Sequence, residues 1–134
     1  MALPMFASTT IPILEQVVQF TQARHGVLAG NLANLDTPGY RVRDLSPERF
    51  EARLRQAVEE TRQPTSFSPG DLDFDRFRDV RDSIKSILYH DLSDVSLEQQ
   101  IMEISKNQMQ HNLALAIMTS QFRLLQAAIS EQVV

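Results

Sequence analysis

Asn31-Leu32-Ala33-Asn34-Leu35-Asp36-Thr37-Pro38-Gly39-Tyr40 separates a sparsely charged stretch of this chain from a charge-dense middle. Its local physics is that of a helix end. Pro38 pushes Thr37 out of the helical region and has no N–H to donate, so the preceding helix is expected to stop near Asp36. Pro-Gly then supplies the φ of about −65° and the positive φ that the two central positions of a type II turn require. Tyr40 would leave the turn as a large side chain with a polar tip. A helix stop followed by a turn explains most Thr-Pro-Gly sequences. It leaves unexplained why Asn31 and Asn34 share one helix face just before it.

Upstream, residues 1–10 carry no periodicity and read as a tail. Ile11, Leu14, Val18, Thr21, His25, Leu28, Leu32 and Leu35 then recur at alternating spacings of three and four, the seam of a coiled-coil helix. Pro12 is tolerable in its first turn. The same arithmetic returns at the far end, through Leu97, Ile101, Ile104, Gln108, His111, Leu115, Met118, Phe122, Leu125 and Ile129. Ser96 opens that run, with Gln99 in the position of a capping-box partner. Two such seams most simply pack on each other, antiparallel; pairing of each seam with other subunits is the alternative. A second apolar row, Leu113, Ile117 and Leu124, lies roughly 140° round the C-terminal helix from the seam. A helix with two apolar faces is normally buried on both, here either by the middle segment or by another subunit.

The middle, 41–94, holds 22 of the 30 charged residues, which leaves the terminal helices amides for their polar faces. Ser46-Pro47-Glu48 is a helix start with Pro at the first position, and Phe50, Leu54, Ala57 and Val58 line one face of a helix ending near Glu60. Residues 61–70, with Pro64 and Pro69, read as a loop. Phe77, Val80, Ile84, Ile87 and Leu88 suit a third amphipathic helix, with a strand across 83–89 as the alternative. The expected fold is mainly α: long N- and C-terminal helices packed as a coiled coil, with a shorter, charge-rich, partly helical middle segment. The expected division is a tail at 1–10, a terminal-helix region at 11–36 and 93–131, and a middle segment at 37–92.

Little here suggests chemistry. The net charge of −4 and the lack of a Lys/Arg run argue against nucleic-acid binding. Absence of Cys removes disulfides, thiolate nucleophiles and Cys-based metal sites. His25, His90 and His111 have no metal-ligand spacing; His25 and His111 sit on seams, where polar residues more often fix register. Asp71, Asp73, Asp75, Asp79 and Asp82 lack the central Gly and terminal Glu of a calcium loop and are interleaved with Arg76, Arg78 and Arg81. No phosphate cradle or nucleophile elbow occurs, so no enzyme, cofactor, metal or small-molecule substrate is expected. Met1 to Phe20 lacks a basic n-region, and no apolar run approaches about 18 residues, so neither a signal peptide nor a transmembrane span is expected.

The decamer at 31–40 closely resembles the N-terminal signature of the bacterial flagellar rod and hook proteins. The likeness covers roughly residues 11–60 and, more loosely, 93–130. The chain is far shorter than the family's distal rod and hook members. Tyr40-Arg41-Val42-Arg43-Asp44-Leu45, followed by Glu48-Arg49-Phe50-Glu51, looks like a small proximal rod subunit. So does Asp94-Val95-Ser96-Leu97-Glu98 leading into a helix with Asn107, His111 and Leu115, although Asp94 and Ser96 depart from the usual pattern. Gln108 to Asn112 does not reproduce the Arg-x-Tyr-x-x-Asn element of the other small rod protein. The resemblance implies a structural subunit of the basal-body rod, exported by the flagellar type III apparatus without a cleavable signal peptide and assembled in the periplasm. Its partners would be further copies of itself, other rod proteins, and the membrane-ring and export-gate proteins. Asn31, Asn34, Thr37, Pro38, Gly39 and Tyr40 would shape a hinge between the terminal helices and the middle. The competing class is a helical type III secretion chaperone or adaptor.

Overall fold

The computed structural model of the chain describes residues 10–62, 80, 88–90 and 96–131. Helix α1 (Ile11–Ala33) begins with Pro12 in its first turn, where a missing N–H costs nothing. It ends before Asp36, because Asn34 takes over as the cap. The Asn34 N–H reaches the carbonyls of Gly30 and Asn31, both at 3.2 Å, and its Nδ2 donates to the Gly30 carbonyl at 2.8 Å. Orphan carbonyls of the last turn are thereby satisfied without help from the proline.

The turn that follows has the expected form. Tyr40 N–H donates to the Thr37 carbonyl at 3.2 Å across Pro38 and Gly39, and Gly39 alone has a positive φ, 76°, among the described residues. Only glycine takes that φ without strain, which makes Gly39 the residue the turn depends on. The chain then enters strand β1 (Arg43–Leu45), paired antiparallel with β2 (Leu88–His90) in the register Arg43 with His90, Asp44 with Tyr89 and Leu45 with Leu88. Leu88 and Tyr89 are therefore strand, which corrects the helical reading there: the edge presented by β1 supplies backbone partners that periodicity cannot foresee. Residues 83–87, Phe77, Pro64, Pro69 and the aspartates between 71 and 82 lie outside the described residues.

Helix α2 (Pro47–Arg62) starts as its sequence dictates, with Ser46 Oγ accepting from the Arg49 N–H at 3.3 Å and donating to Glu48 Oε2 at 3.0 Å. Phe50 and Ala57 are buried on its inner face and Leu54 packs beside them. The Phe50 ring stacks on Phe20 of α1, centroids 4.1 Å apart and planes 8° from parallel; Leu45 and Val80 complete this core. Helix α3 (Leu97–Glu131) has 35 residues, so it runs roughly 52 Å at 1.5 Å per residue. The Gln99 N–H donates to Ser96 Oγ at 3.3 Å, the expected cap. Helices α1 and α3 pack antiparallel, since Asn31 meets Gln100 while Thr21 meets Asn107 and His111. The fold is mainly helical, with the long N- and C-terminal helices packed on each other.

Candidate functional site

The decamer and the two helices converge on one buried amide. Asn31, 0 % exposed, sits at the level where α1, β1 and α3 meet. Its Nδ2 donates to the Arg43 carbonyl and, at 3.3 Å, to Gln100 Oε1. Its Oδ1 accepts from Tyr40 Oη and from the Arg43 N–H, each at 3.1 Å. Both donors and both lone pairs of the carboxamide are thus used, an arrangement that a side chain of another type cannot copy. Asn34 and Thr37 stitch the outer side: the Thr37 N–H donates to the Asn34 carbonyl at 3.0 Å, and Thr37 Oγ1 to Asn34 Oδ1 at 3.3 Å. Pro38 and Gly39 are exposed, and Tyr40 is half-buried. The motif therefore ties the exit of α1 to the following strand and to the far helix.

Two further polar layers lie along the same contact. Arg24, 4 % exposed, makes a bidentate pair with Asp44, both bonds 2.9 Å, and donates to Glu103 Oε2 at 2.8 Å. Burial alone would lower the Arg24 pKa, but the bonds to the two carboxylates outweigh it and hold the guanidinium charged. The bond from Arg24 depresses the Glu103 carboxyl; burial opposes this, and Lys106, 3.3 Å away, adds to it. One turn further, Asn107 Nδ2 donates to the Thr21 carbonyl at 2.7 Å. Thr21 Oγ1 lies 2.8 Å from His111 Nδ1 and within 3.0 Å of the Val17 and Val18 carbonyls, so with its proton on a carbonyl it accepts from the ring. His25, by contrast, is exposed.

These layers put the α1–α3 contact in a different phase from the seams drawn by spacing. On α1 the buried or half-buried line is Leu14, Val17, Thr21, Arg24, Leu28 and Asn31, continued past the helix end by Leu35, where spacing had Val18, His25 and Leu32 in the alternate layers. On α3 it is Gln100, Ile104, Asn107, His111, Ala114, Met118, Gln121 and Leu125. Ile11, Leu14, Val18, Leu28, Leu35, Ile104, Met118 and Leu125 are buried or half-buried, whereas Leu32, Leu97, Ile101, Leu115, Phe122 and Ile129 are exposed. The physical reason is that a spacing of alternating threes and fours fits two neighbouring stripes equally well. Arg24, Asn31 and Asn107 have partners only in the polar one. Leu113, Ile117 and Leu124 of the second row are exposed as well.

Arg24, Asp44, Glu103, Gln100 and Asn107 are the residues that spacing missed. One signal was available: Arg24 is the sole Lys or Arg before Arg41, in a helix otherwise free of positive charge. Among the described residues no three His, Cys, Asp or Glu side chains gather to hold a metal.

The apolar surface that α3 keeps outside is large. The helix is long and apolar enough to satisfy the length and composition of a membrane span, which the sequence reading did not foresee, and only 6 % of that window is buried. Its polar layer against α1, with Gln100 and Asn107 buried, is that of a helix packed on protein along one side. Between α1, α2 and α3 lies an open groove of about 330 Å³, walled by Val17, Phe20, Phe50, Leu54, Leu113 and Ile117.

No family model and no solved structure matches the chain. A protein of Aquifex aeolicus (strain VF5) described as "Flagellar basal body rod protein FlgB" is 31 % identical over 104 residues, covering 74 % of this chain and 75 % of its own length.

Proposed function

The chain belongs to the flagellar basal body rod protein family, and from that membership we propose that it is a FlgB-type subunit of the proximal rod. In this reading it is a structural protein without enzymatic activity, exported without a cleaved signal and polymerised helically in the periplasm into the shaft that carries torque from motor to hook. Its neighbours are further copies of itself, other rod proteins, and the membrane-ring and export-gate proteins at the base.

The observation that carries the reading is the phase of α3. The helix spends its polar stripe on α1 and leaves apolar residues on both flanks: Leu97, Ile101, Leu115, Phe122 and Ile129 on one side, Leu113, Ile117 and Leu124 on the other. Contiguous apolar surface on this scale marks a contact with another molecule. The terminal-helix region, 11–36 and 93–131, is then the part that packs against neighbours, and 37–92 the middle segment that follows the turn. Asn31, Asn34, Thr37, Pro38, Gly39 and Tyr40 form the elbow between them. With Asn31 bonded on every side, the elbow fixes an angle instead of flexing.

Deletion of the gene followed by imaging of isolated basal bodies tests this. The expected result is a membrane ring without a rod and cells that do not swim; complete rods in the deletion strain would refute it.

A further inference from the structure

We propose that Arg24 selects which side of α3 packs on α1, holding the helix against a second packing in which its apolar stripe turns inward. The inference concerns one chain by itself and stands apart from any assembly.

Two lines along α3 can face α1. The occupied one runs through Gln100, Asn107 and Ala114, and the other through Ile101, Gln108 and Leu115. Ile104, His111 and Met118 belong to both, so the lines share every second layer and differ by one residue in the layers between. One residue is about 100° round a helix, so a turn of α3 by about 50° exchanges them. That turn would set Ile101 and Leu115, 49 % and 39 % exposed, against α1 in place of Gln100 and Ala114. By apolar area alone the exchange is favourable. Helix α1 is the fixed partner, because its Phe20 ring is stacked on Phe50 of α2.

Arg24 opposes the turn. Asp44 of β1 holds the guanidinium by two bonds of 2.9 Å, and Glu103 of α3 accepts from it at 2.8 Å. On the helix, Glu103 lies on the side of the contact away from Ile101 and Leu115, so bringing those two inward carries its carboxylate away from Arg24. The guanidinium, 4 % exposed, would stay buried with one of its two carboxylates gone. The Asn31–Gln100 bond, 3.3 Å long and between neutral groups, is the weaker restraint. A Leu at this position would be buried without electrostatic cost, and it would suit either packing equally. A buried polar group that holds one packing against an apolar rival does what a single asparagine does in a coiled-coil seam. Arg24 is thus a positioning residue, acting through the phase of α3.

Because the chain has no cysteine, single reporters at adjacent positions read the packing. Ala114 is 4 % exposed and Leu115 39 %. In the otherwise natural full-length chain, kept dilute, a maleimide should therefore modify Leu115→Cys at least tenfold faster than Ala114→Cys. Adding Arg24→Leu with Asp44→Asn, which removes the buried cation and the carboxylate it would leave behind, should reverse that order. Loosened packing without a turn would speed both reactions and keep the order, and that result overturns the proposal, as does an unchanged ratio. Glu103→Gln is the milder step, because it withdraws the charge on α3 and leaves α1 and β1 as they are. It should shift the ratio of rates toward Ala114→Cys at least threefold with the circular dichroism unchanged. A Glu103→Gln ratio within twofold of the natural one overturns the proposal even where the double variant fails to fold.

Discussion

Replacing Asn31 with Asp keeps the shape of the side chain and inverts half of its hydrogen bonding, so it isolates what the carboxamide does. Oδ1 can still accept from Tyr40 Oη and the Arg43 N–H. The new carboxylate oxygen, however, faces two acceptors, the Arg43 carbonyl and Gln100 Oε1, where Nδ2 had donated to both. Gln100 is itself 4 % exposed, so its amide oxygen cannot turn to water without disturbing α3. Two lost bonds to buried or half-buried acceptors cost about 1–3 kcal/mol for the one that stays unsatisfied. Confining a charge at a fully buried position adds at least as much, giving about 3–5 kcal/mol in all at neutral pH. With a urea slope of about 2 kcal/mol/M for a chain of this size, the midpoint followed by circular dichroism should fall by about 1.5–2.5 M. Asn31→Ala, which removes donors and acceptors together, should cost about 2–3 kcal/mol, and Tyr40→Phe, whose hydroxyl is half-buried, about 1 kcal/mol. An Asn31→Asp midpoint within about 0.3 M of wild type would refute the idea that this amide locks the three elements.

Acid should weaken the Arg24 layer in a defined direction. The Glu103 carboxyl is held below its ordinary value of 4.5, so its contribution is complete above that value and is lost as pH falls through the lower folded-state value. Glu103→Gln should remove that share of the acid limb in urea midpoints measured from pH 7 to pH 3, and an unchanged limb would count against the pair. Pro38→Ala combined with Gly39→Ala places a side chain at φ 76°, costing about 1–2 kcal/mol. The protein should stay soluble while rods are absent from basal bodies, and normal swimming would argue against the elbow. Met109→Gln and Leu124→Gln, at positions 72 % and 69 % exposed, should each leave the unfolding free energy within about 0.5 kcal/mol of wild type. Leu124→Gln should nevertheless reduce incorporation into basal bodies, read by immunoblot of the purified structures.

Much of the architecture could be read from residue types whose effect is local. Pro38 and Gly39 dictate the turn, Ser46 and Ser96 cap the helices they precede, and Phe50, Leu54 and Ala57 share a face because 3.6 residues make a turn. The sparsely charged, heptad-spaced ends were enough to set two long helices against each other. Three things were beyond it. The end of α1 at Ala33 depends on Asn34 returning to Gly30, a bond that competes with a longer helix by margins no propensity resolves. Leu88 and Tyr89 became strand because β1 lay beside them.

The phase of the α1–α3 contact is the most consequential of the three. Alternating spacings of three and four describe two adjacent stripes at once, and choosing the greasier one presumes that apolar residues face inward. In this molecule Arg24, Asn31, Gln100 and Asn107 face inward, because each finds its partner on another element and would stay unsatisfied alone. Composition decided that there would be two sticky helices. Only the meeting of those polar partners in three dimensions decided which side of each helix is left for another molecule.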